Sequence, residues 1–121
     1  MYKYPIEFEF NATANDVFSE SWSSVSLEYE GIRCDISRKL NGMGQGFSPE
    51  ELFGMSILNC FVANFKFCAE ELSLSFEKLQ ARAVLSLDKN AQGHWSMHKF
   101  EAVITLSDVS DVVLAQKLFL E

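Results

Sequence analysis

The stretch from Ser48 to Leu72, SPEELFGMSILNCFVANFKFCAEEL, limits the fold more than any other part of the chain. It opens with a helix-start signal: Ser48 as N-cap, Pro49 at the first helical position and Glu51 three residues past the cap. The first amides of a helix have no partners inside it, so Pro49 loses nothing there, and Ser48 with Glu51 spells a capping box. Leu52, Phe53, Met55, Ile57, Leu58, Phe61, Val62 and Phe65 then surround the helix axis. A helix apolar on nearly every side has to be covered on every side. One seam breaks the pattern: Ser56, Asn59, Cys60, Ala63 and Asn64, spaced i, i+3, i+4, i+7 and i+8, with a thiol at its middle.

Covering such a helix is the first demand on the chain. Its 121 residues predict one domain, spanning 1–121, and an apolar fraction of 48% with eleven Phe predicts a folded globule. A helix of this kind is more than so short a chain can bury, so a homodimer is expected, the partner completing the core. The net charge of −7 argues against nucleic acid and against anionic membrane surfaces as partners, because both call for a basic face. The N-terminus lacks a signal-peptide pattern, and no run of about 18 uninterrupted apolar residues suggests a membrane span. Three cysteines, an odd number without framework spacing, do not read as a secreted disulfide scaffold, and a reducing cytoplasm is the expected location.

The remaining segments predict strands around this helix. Residues 2–10 alternate, with Tyr2, Tyr4, Ile6, Phe8 and Phe10 on one face and Lys3, Pro5, Glu7 and Glu9 on the other, and Pro5 suggests an edge. Asn11 to Asn15 has turn chemistry, a second strand lies within 17–29, and a third runs from Ile32 to Leu40. In that third strand Cys34, Ile36 and Arg38 share one face, which points Arg38 inward, while Arg33 has the outward phase. The NGMGQGF run at 41–47 reads as a flexible loop into the Ser48 cap. Strands at 78–88 and 95–106 form a hairpin, and a last amphipathic helix is capped by Ser107 or Asp108. That helix reaches Glu121 without a Gly cap, a basic last turn or a polar tail, so a chain cut short at its C-terminus is expected.

The element order and the wording SPEELFGMSILNCF resemble the OsmC/Ohr family of thiol-dependent peroxidases. The shared pattern is a capping Ser/Asn/Thr-Pro-Glu, a Leu two residues after the Glu and a Cys ten residues after it, behind a Gly-rich loop. The resemblance covers about residues 25–121. It implies an α+β fold: an antiparallel sheet with a long central Cys-bearing helix, in an intertwined homodimer. It further implies reduction of organic hydroperoxides by a peroxidatic Cys, here Cys60, with an activating Arg held by a Glu, here Glu50. A resolving Cys and a dithiol reductant complete the family's cycle. Arg38, with its inward phase, is favoured for the activating cation over Arg33.

A thiol attacks peroxide as thiolate, and one buried among apolar groups needs a cation nearby. Glu50 lies about 15 Å from Cys60 along a straight helix, so contact requires a bend, for which Gly54 offers a place, assembly across a dimer, or an Arg38 that spans the gap. The family's resolving Cys would lie past the end of this chain. Cys68, eight residues after Cys60, is about 12 Å away on a straight helix, beyond the roughly 7 Å a disulfide permits. Cys34, on the inward strand face, could approach Cys60, although no family pattern supports it. Without the motif, a lone Cys on an apolar helix is usually a small buried hydrophobe. The alternative function is therefore a non-catalytic dimer of the same fold that binds an apolar ligand. His94 and His98 lack ligand spacing for a metal, the glycines fit no phosphate or dinucleotide loop, and no cofactor is expected.

Overall fold

The computed structural model describes residues 4–27 and 29–118. Strands β1 (Phe10–Thr13), β2 (Trp22–Ser26) and β3 (Ile32–Cys34) lead through a single 3-10 turn, Arg38–Leu40, to helix α1 (Pro49–Glu71). Strands β4 (Lys78–Lys89) and β5 (Trp95–Ser107) and helix α2 (Val112–Leu118) follow. The fold is α+β, with two antiparallel sheets, β1-β2-β3 and β4-β5, and one long helix. The chain forms two compact units, one up to Leu52 and the other from Phe53 onward.

In the first unit the strands are shorter than expected. Tyr2 and Lys3 lie outside the described residues, and Tyr4 to Glu9 belong to no strand. Pairing runs instead through the presumed turn, from Phe10 opposite Ser26 to Thr13 opposite Ser23. Alternation supplies a face, but a strand also needs a partner in register, and β2 ends at Ser26. The turn moves to 15–20, where Asn15 Oδ1 accepts from Val17 N at 3.0 Å. The second strand, expected within 17–29, narrows to Trp22–Ser26, and Glu28 lies outside the described residues.

The third strand stops at Cys34 and does not reach Leu40. Asp35 ends it. Its buried carboxylate accepts from Ile36 N at 2.8 Å and from Gln45 N at 2.9 Å. A local side-chain acceptor competes with the ladder for backbone donors, and here it wins. Ser37 then caps the 3-10 turn, accepting from Lys39 N at 3.2 Å, and Asn41 leaves it in the left-handed region at φ 68°.

Helix α1 starts as the sequence predicts. Ser48 is buried, its Oγ accepts from Glu51 N at 3.1 Å, and Glu51 Oε1 accepts from Ser48 N at 3.1 Å and from Ser48 Oγ at 2.9 Å. The helix ends in a Schellman turn. Ser73 sits at φ 53°, Leu74 N donates to Ala69 O at 2.8 Å and Ser73 N to Glu70 O at 3.3 Å. That turn drops Leu74 into the core of the second unit beside Phe65, Ala69 and Ala115. The Phe65 and Phe76 rings meet there with centroids 5.4 Å apart.

The hairpin matches its expected bounds within a residue, from Lys78 opposite Ser107 to Lys89 opposite Trp95, with a bulge at Ser86/Leu87. It covers one side of α1: Gly54 lies against Leu85, where an added Cβ would stand 3.6 Å from the Leu85 Cβ. The cap of α2 is Asp111, not Ser107 or Asp108: its carboxylate accepts from Leu114 N at 3.0 Å. Asp108 stands at φ 50°, before the helix, and hydrogen-bonds to Glu77 instead. Phe119, Leu120 and Glu121 lie outside the described residues.

Two outcomes test these caps. Replacing Ser48 by Ala should cost about 1 kcal/mol, and Glu51→Ala in that background should add less than it does alone, which a double-mutant cycle of denaturant unfolding measures. The second concerns Glu77, whose carboxyl is raised above the usual range by its hydrogen bond to Asp108 and, secondarily, by desolvation. The folded state therefore holds that proton more tightly than the unfolded chain. The stabilisation is full below the ordinary carboxylate range and is lost as pH rises through the raised value. Once pH has risen past the raised value the bond's proton is gone, so Glu77→Gln, which donates permanently, should raise Tm there and change little in acid.

Candidate active site

Cys60 stands on the side of α1 turned away from the hairpin. Residues four and three apart on a helix share a face, and Phe53, Ser56, Cys60, Ala63, Asn64 and Phe67 form such a row, all exposed. The covered side carries Leu58, Val62, Phe65 and Ala69. Helix α1 is thus apolar all round, as expected, yet its own unit covers only one side. By length and composition it could also cross a membrane. Lys66 and two Asn side chains on its surface, and the fit of its covered side to β4, mark it as the helix of a packed domain.

The polar members of the seam differ in what they bind. Ser56 Oγ donates to Phe53 O at 2.8 Å and Asn59 Nδ2 to Met55 O at 2.8 Å, both turned onto the helix itself. Asn64 Nδ2 donates to Cys60 Sγ at 3.5 Å. A cleft of about 390 Å³ lies between α1 and β4, lined by Leu58, Asn59, Val62, Lys66, Phe76, Leu79 and Ala81, and Cys60 is not among its lining residues.

All three thiols are free. Cys68 is half-buried on the same unbroken helix, so the separation of about 12 Å holds and a bond to Cys60 is excluded. Cys34 is 2% exposed, opposite Trp22 in the sheet and bridged on its other side to Phe47.

The segment 41–47 is tightly wound, not flexible. Phe47 N donates to Arg33 O, Asp35 N to Phe47 O and Gly42 N to Ser37 O, each at 2.9 Å. A Cβ on Gly42 would fall 2.0 Å from Ile36 O, and one on Gly46 2.5 Å from Arg33 O, so two of the three glycines are needed for close backbone approach. Arg38 lies on the outside of this loop, exposed, with Nε donating to Met43 O at 2.9 Å. Its expected inward phase is therefore corrected, because the alternation that gave it stops with β3. Arg33 is exposed, as expected, and Glu50 is half-buried in the first turn of α1. Among the described residues the one ion pair is Lys99–Glu101, at 2.7 Å, so Arg38 and Glu50 are not paired with each other.

Sequence reasoning missed Asp35, assigned to an outward strand face. The signal available was an acidic residue ten positions before Gln45, within a loop dense in glycine amides. Among the described residues no group of His, Cys, Asp and Glu is placed to hold a metal.

A family model described as OsmC-like protein matches residues 42–117, more than half of the chain. A search among curated proteins finds no match. Among solved structures, the chain is similar to an OsmC-like protein of unknown function from Vibrio cholerae, 21% identical with a TM-score of 0.77, covering 93% of this chain and 84% of that one. It is similar to an organic hydroperoxide resistance protein OsmC from Legionella pneumophila, at 16% identity and TM-score 0.76 over 96% and 81% of the two chains. The organic hydroperoxide resistance protein OhrB of Bacillus subtilis matches at 19% and 0.68, over 93% and 80%. Identities this low establish the fold that the chain shares with them.

The three thiol environments have a measurable order. With an alkylating reagent under native conditions, Cys60 should react first, Cys68 more slowly and Cys34 only on unfolding. Gly46→Ala, which forces the loop away from Arg33, should make Cys34 reactive in the folded protein. Mass analysis of tryptic peptides separates the three sites.

Proposed function

The chain belongs to the OsmC-like protein family, and on that footing we propose that it is a homodimeric, thiol-dependent peroxidase of organic hydroperoxides with Cys60 as the attacking group. The observation that carries this reading is an exposed thiol centred on the uncovered side of an apolar helix. Phe53, 46% exposed, and Phe67, 69% exposed, flank it and would favour an apolar substrate. Several proteins sharing this fold are named organic hydroperoxide resistance proteins.

The chemistry needs little else. The Cys60 thiolate attacks the terminal oxygen of the hydroperoxide, an S–O bond forms and the O–O bond breaks. The alkoxide takes a proton and leaves as alcohol, and sulfur is left as sulfenic acid. A second thiol then displaces water to form a disulfide, or the sulfenic acid oxidises further. Cys68 is out of reach and Cys34 is closed to solvent, so the second thiol comes from outside these residues, a dithiol reductant being the natural class. Arg38 is assigned the thiolate-stabilising cation and Glu50 the carboxylate that orients it. A reducing cytoplasm would supply the thiols.

Dimerisation is supported by the uncovered apolar surface. Beyond the Cys60 face, Phe8 at 73%, Phe10 at 69% and Tyr29 at 75% exposure lie in the first unit. Apolar surface of this extent marks an interaction site.

A second reading is favoured by the outward placement of Arg38: a dimer of the same fold that does no peroxide chemistry and binds an apolar ligand. One experiment separates the two. Titrated with cumene hydroperoxide, the protein should consume about one equivalent per Cys60 and then stop unless a dithiol is added. Cys60→Ser should consume none. Arg38→Ala should slow the first equivalent by roughly ten- to a hundred-fold, the worth of a charge-assisted hydrogen bond. No consumption by a folded dimer would leave the ligand-binding reading.

A further inference from the structure

Two asparagines on α1 stand in the same relation to the turn before them, yet their side chains choose different acceptors. Asn59 donates to the carbonyl oxygen four residues back, Met55 O, at 2.8 Å. That is the usual resort of a short polar side chain on a helix. Asn64 has the equivalent carbonyl four residues back, at Cys60, but donates to Cys60 Sγ at 3.5 Å. Ser56, the third polar member of the seam, also turns to a carbonyl. One donor on this face is spent on the sulfur.

We propose that Asn64 is a catalytic residue that stabilises the Cys60 thiolate through its amide N–H. This rests on the peroxidase reading above. In the reaction the thiolate sulfur gives an electron pair to the terminal peroxide oxygen, the S–O bond forms, and the O–O bond breaks. The alkoxide is protonated by water. Negative charge therefore starts on the sulfur, where Asn64 already donates, and the new sulfenic oxygen forms beside the same N–H. The hydrogen bond observed at Cys60 Sγ comes from this amide and not from a cation. The Asn64 donor is neutral, so its contribution should survive high salt, whereas that of an exposed cation is screened.

A donor to the thiolate has two opposed effects on rate. It enlarges the fraction of sulfur that is ionised, and it dulls each thiolate as a nucleophile, since nucleophilicity falls only about half as steeply as basicity. Wherever a thiol is mostly protonated the first effect wins, and wherever it is wholly thiolate only the second remains. Loss of Asn64 should therefore slow Cys60 at pH 7 and leave it as fast or faster in alkali. A merely structural role would not reverse sign with pH.

The test measures iodoacetamide alkylation of the Cys60 peptide, which trypsin cuts from Cys68 at Lys66, alongside hydroperoxide consumption. Asn64→Leu keeps the side-chain size without the donor, Asn64→Ala removes both, and Asn59→Ala is the control on the same helix. Both Asn64 variants are expected to alkylate roughly three- to ten-fold more slowly at pH 7, in low and high salt alike, with the difference vanishing or reversing in alkali. Asn59→Ala should match the wild type. Asn64→Leu and Asn64→Ala rates equal to wild type at neutral pH would overturn the proposal, as would a slowing that persists unchanged in alkali. Should the wild type consume no hydroperoxide while the alkylation curves still cross, the peroxidase reading fails and the Asn64 bond to the thiolate stands.

Discussion

A helix apolar on all sides needs more cover than one hairpin can give, and the second unit is arranged around that shortage. Strand β4 takes one side of α1, with Leu85 against Gly54 and with Leu79 and Ala81 lining a cleft together with Leu58 and Val62. The C-terminal half goes deeper, where Phe65 and Ala69 meet Leu74 and Ala115. The opposite side keeps Phe53 and Phe67 exposed, and burying a large apolar side chain is worth about 1.5–3 kcal/mol. That unrealised stabilisation is the physical argument for a partner. It also explains how a thiol can sit within an apolar surface and still be reachable. Cys60 occupies the side that the chain leaves open.

In the first unit a single carboxylate sets the backbone. Asp35 is fully buried and satisfied by two amides, one from the next residue and one from across the loop. A buried charge is tolerated only when it is hydrogen-bonded, and amide donors suit a carboxylate well. Its bond to Gln45 folds the NGMGQGF segment back onto β3, and the close approaches at Gly42 and Gly46 follow from that fold-back. The same return carries the chain past Phe47 into the buried Ser48 cap. A run of glycines that looked like slack is in fact a tight winding, because small residues serve close packing as well as mobility.

What the sequence revealed divides along a physical line. The capping box, the length of α1 and the bounds of β4 and β5 depend on neighbours a few residues away or on long uninterrupted patterns, and each was legible. The N-terminal strands were not, because the alternation from Tyr4 to Phe10 describes a face without saying whether a partner strand lies beside it. The inward phase of Arg38 failed for a related reason. It extended a period of two from Cys34 across Asp35, where a side chain takes over the donors that a ladder would have used. The cap of α2 moved from Ser107 or Asp108 to Asp111 because four candidate side chains, Ser107, Asp108, Ser110 and Asp111, lie within five residues, Asp108 being engaged by Glu77 and Ser110 by Ser75 N. As for the candidate site, the helix position of Cys60 could be read from the sequence. The direction of Asn64 could not, since Asn59 at the same spacing turns the other way.

The three cysteines show why exposure, and not residue type or local hydropathy, sorts chemistry from packing. Cys34 sits between Trp22 and Phe47 with no path to solvent, which suits a small hydrophobe. Cys68 lies two turns beyond Cys60 on the same helix, rotated toward the covered side and half-buried. Cys60 alone combines access with a donor on its sulfur. Ser56, Ala63 and Asn64 are its nearest neighbours on the open side, with Phe53 and Phe67 two turns away on either hand, so a reagent arriving there meets a short polar strip between two exposed rings. Under the peroxidase proposal, that openness would favour an oxidant with an organic group over a small, strongly hydrated one, and would leave the fate of the oxidised sulfur to whichever thiol reaches it first.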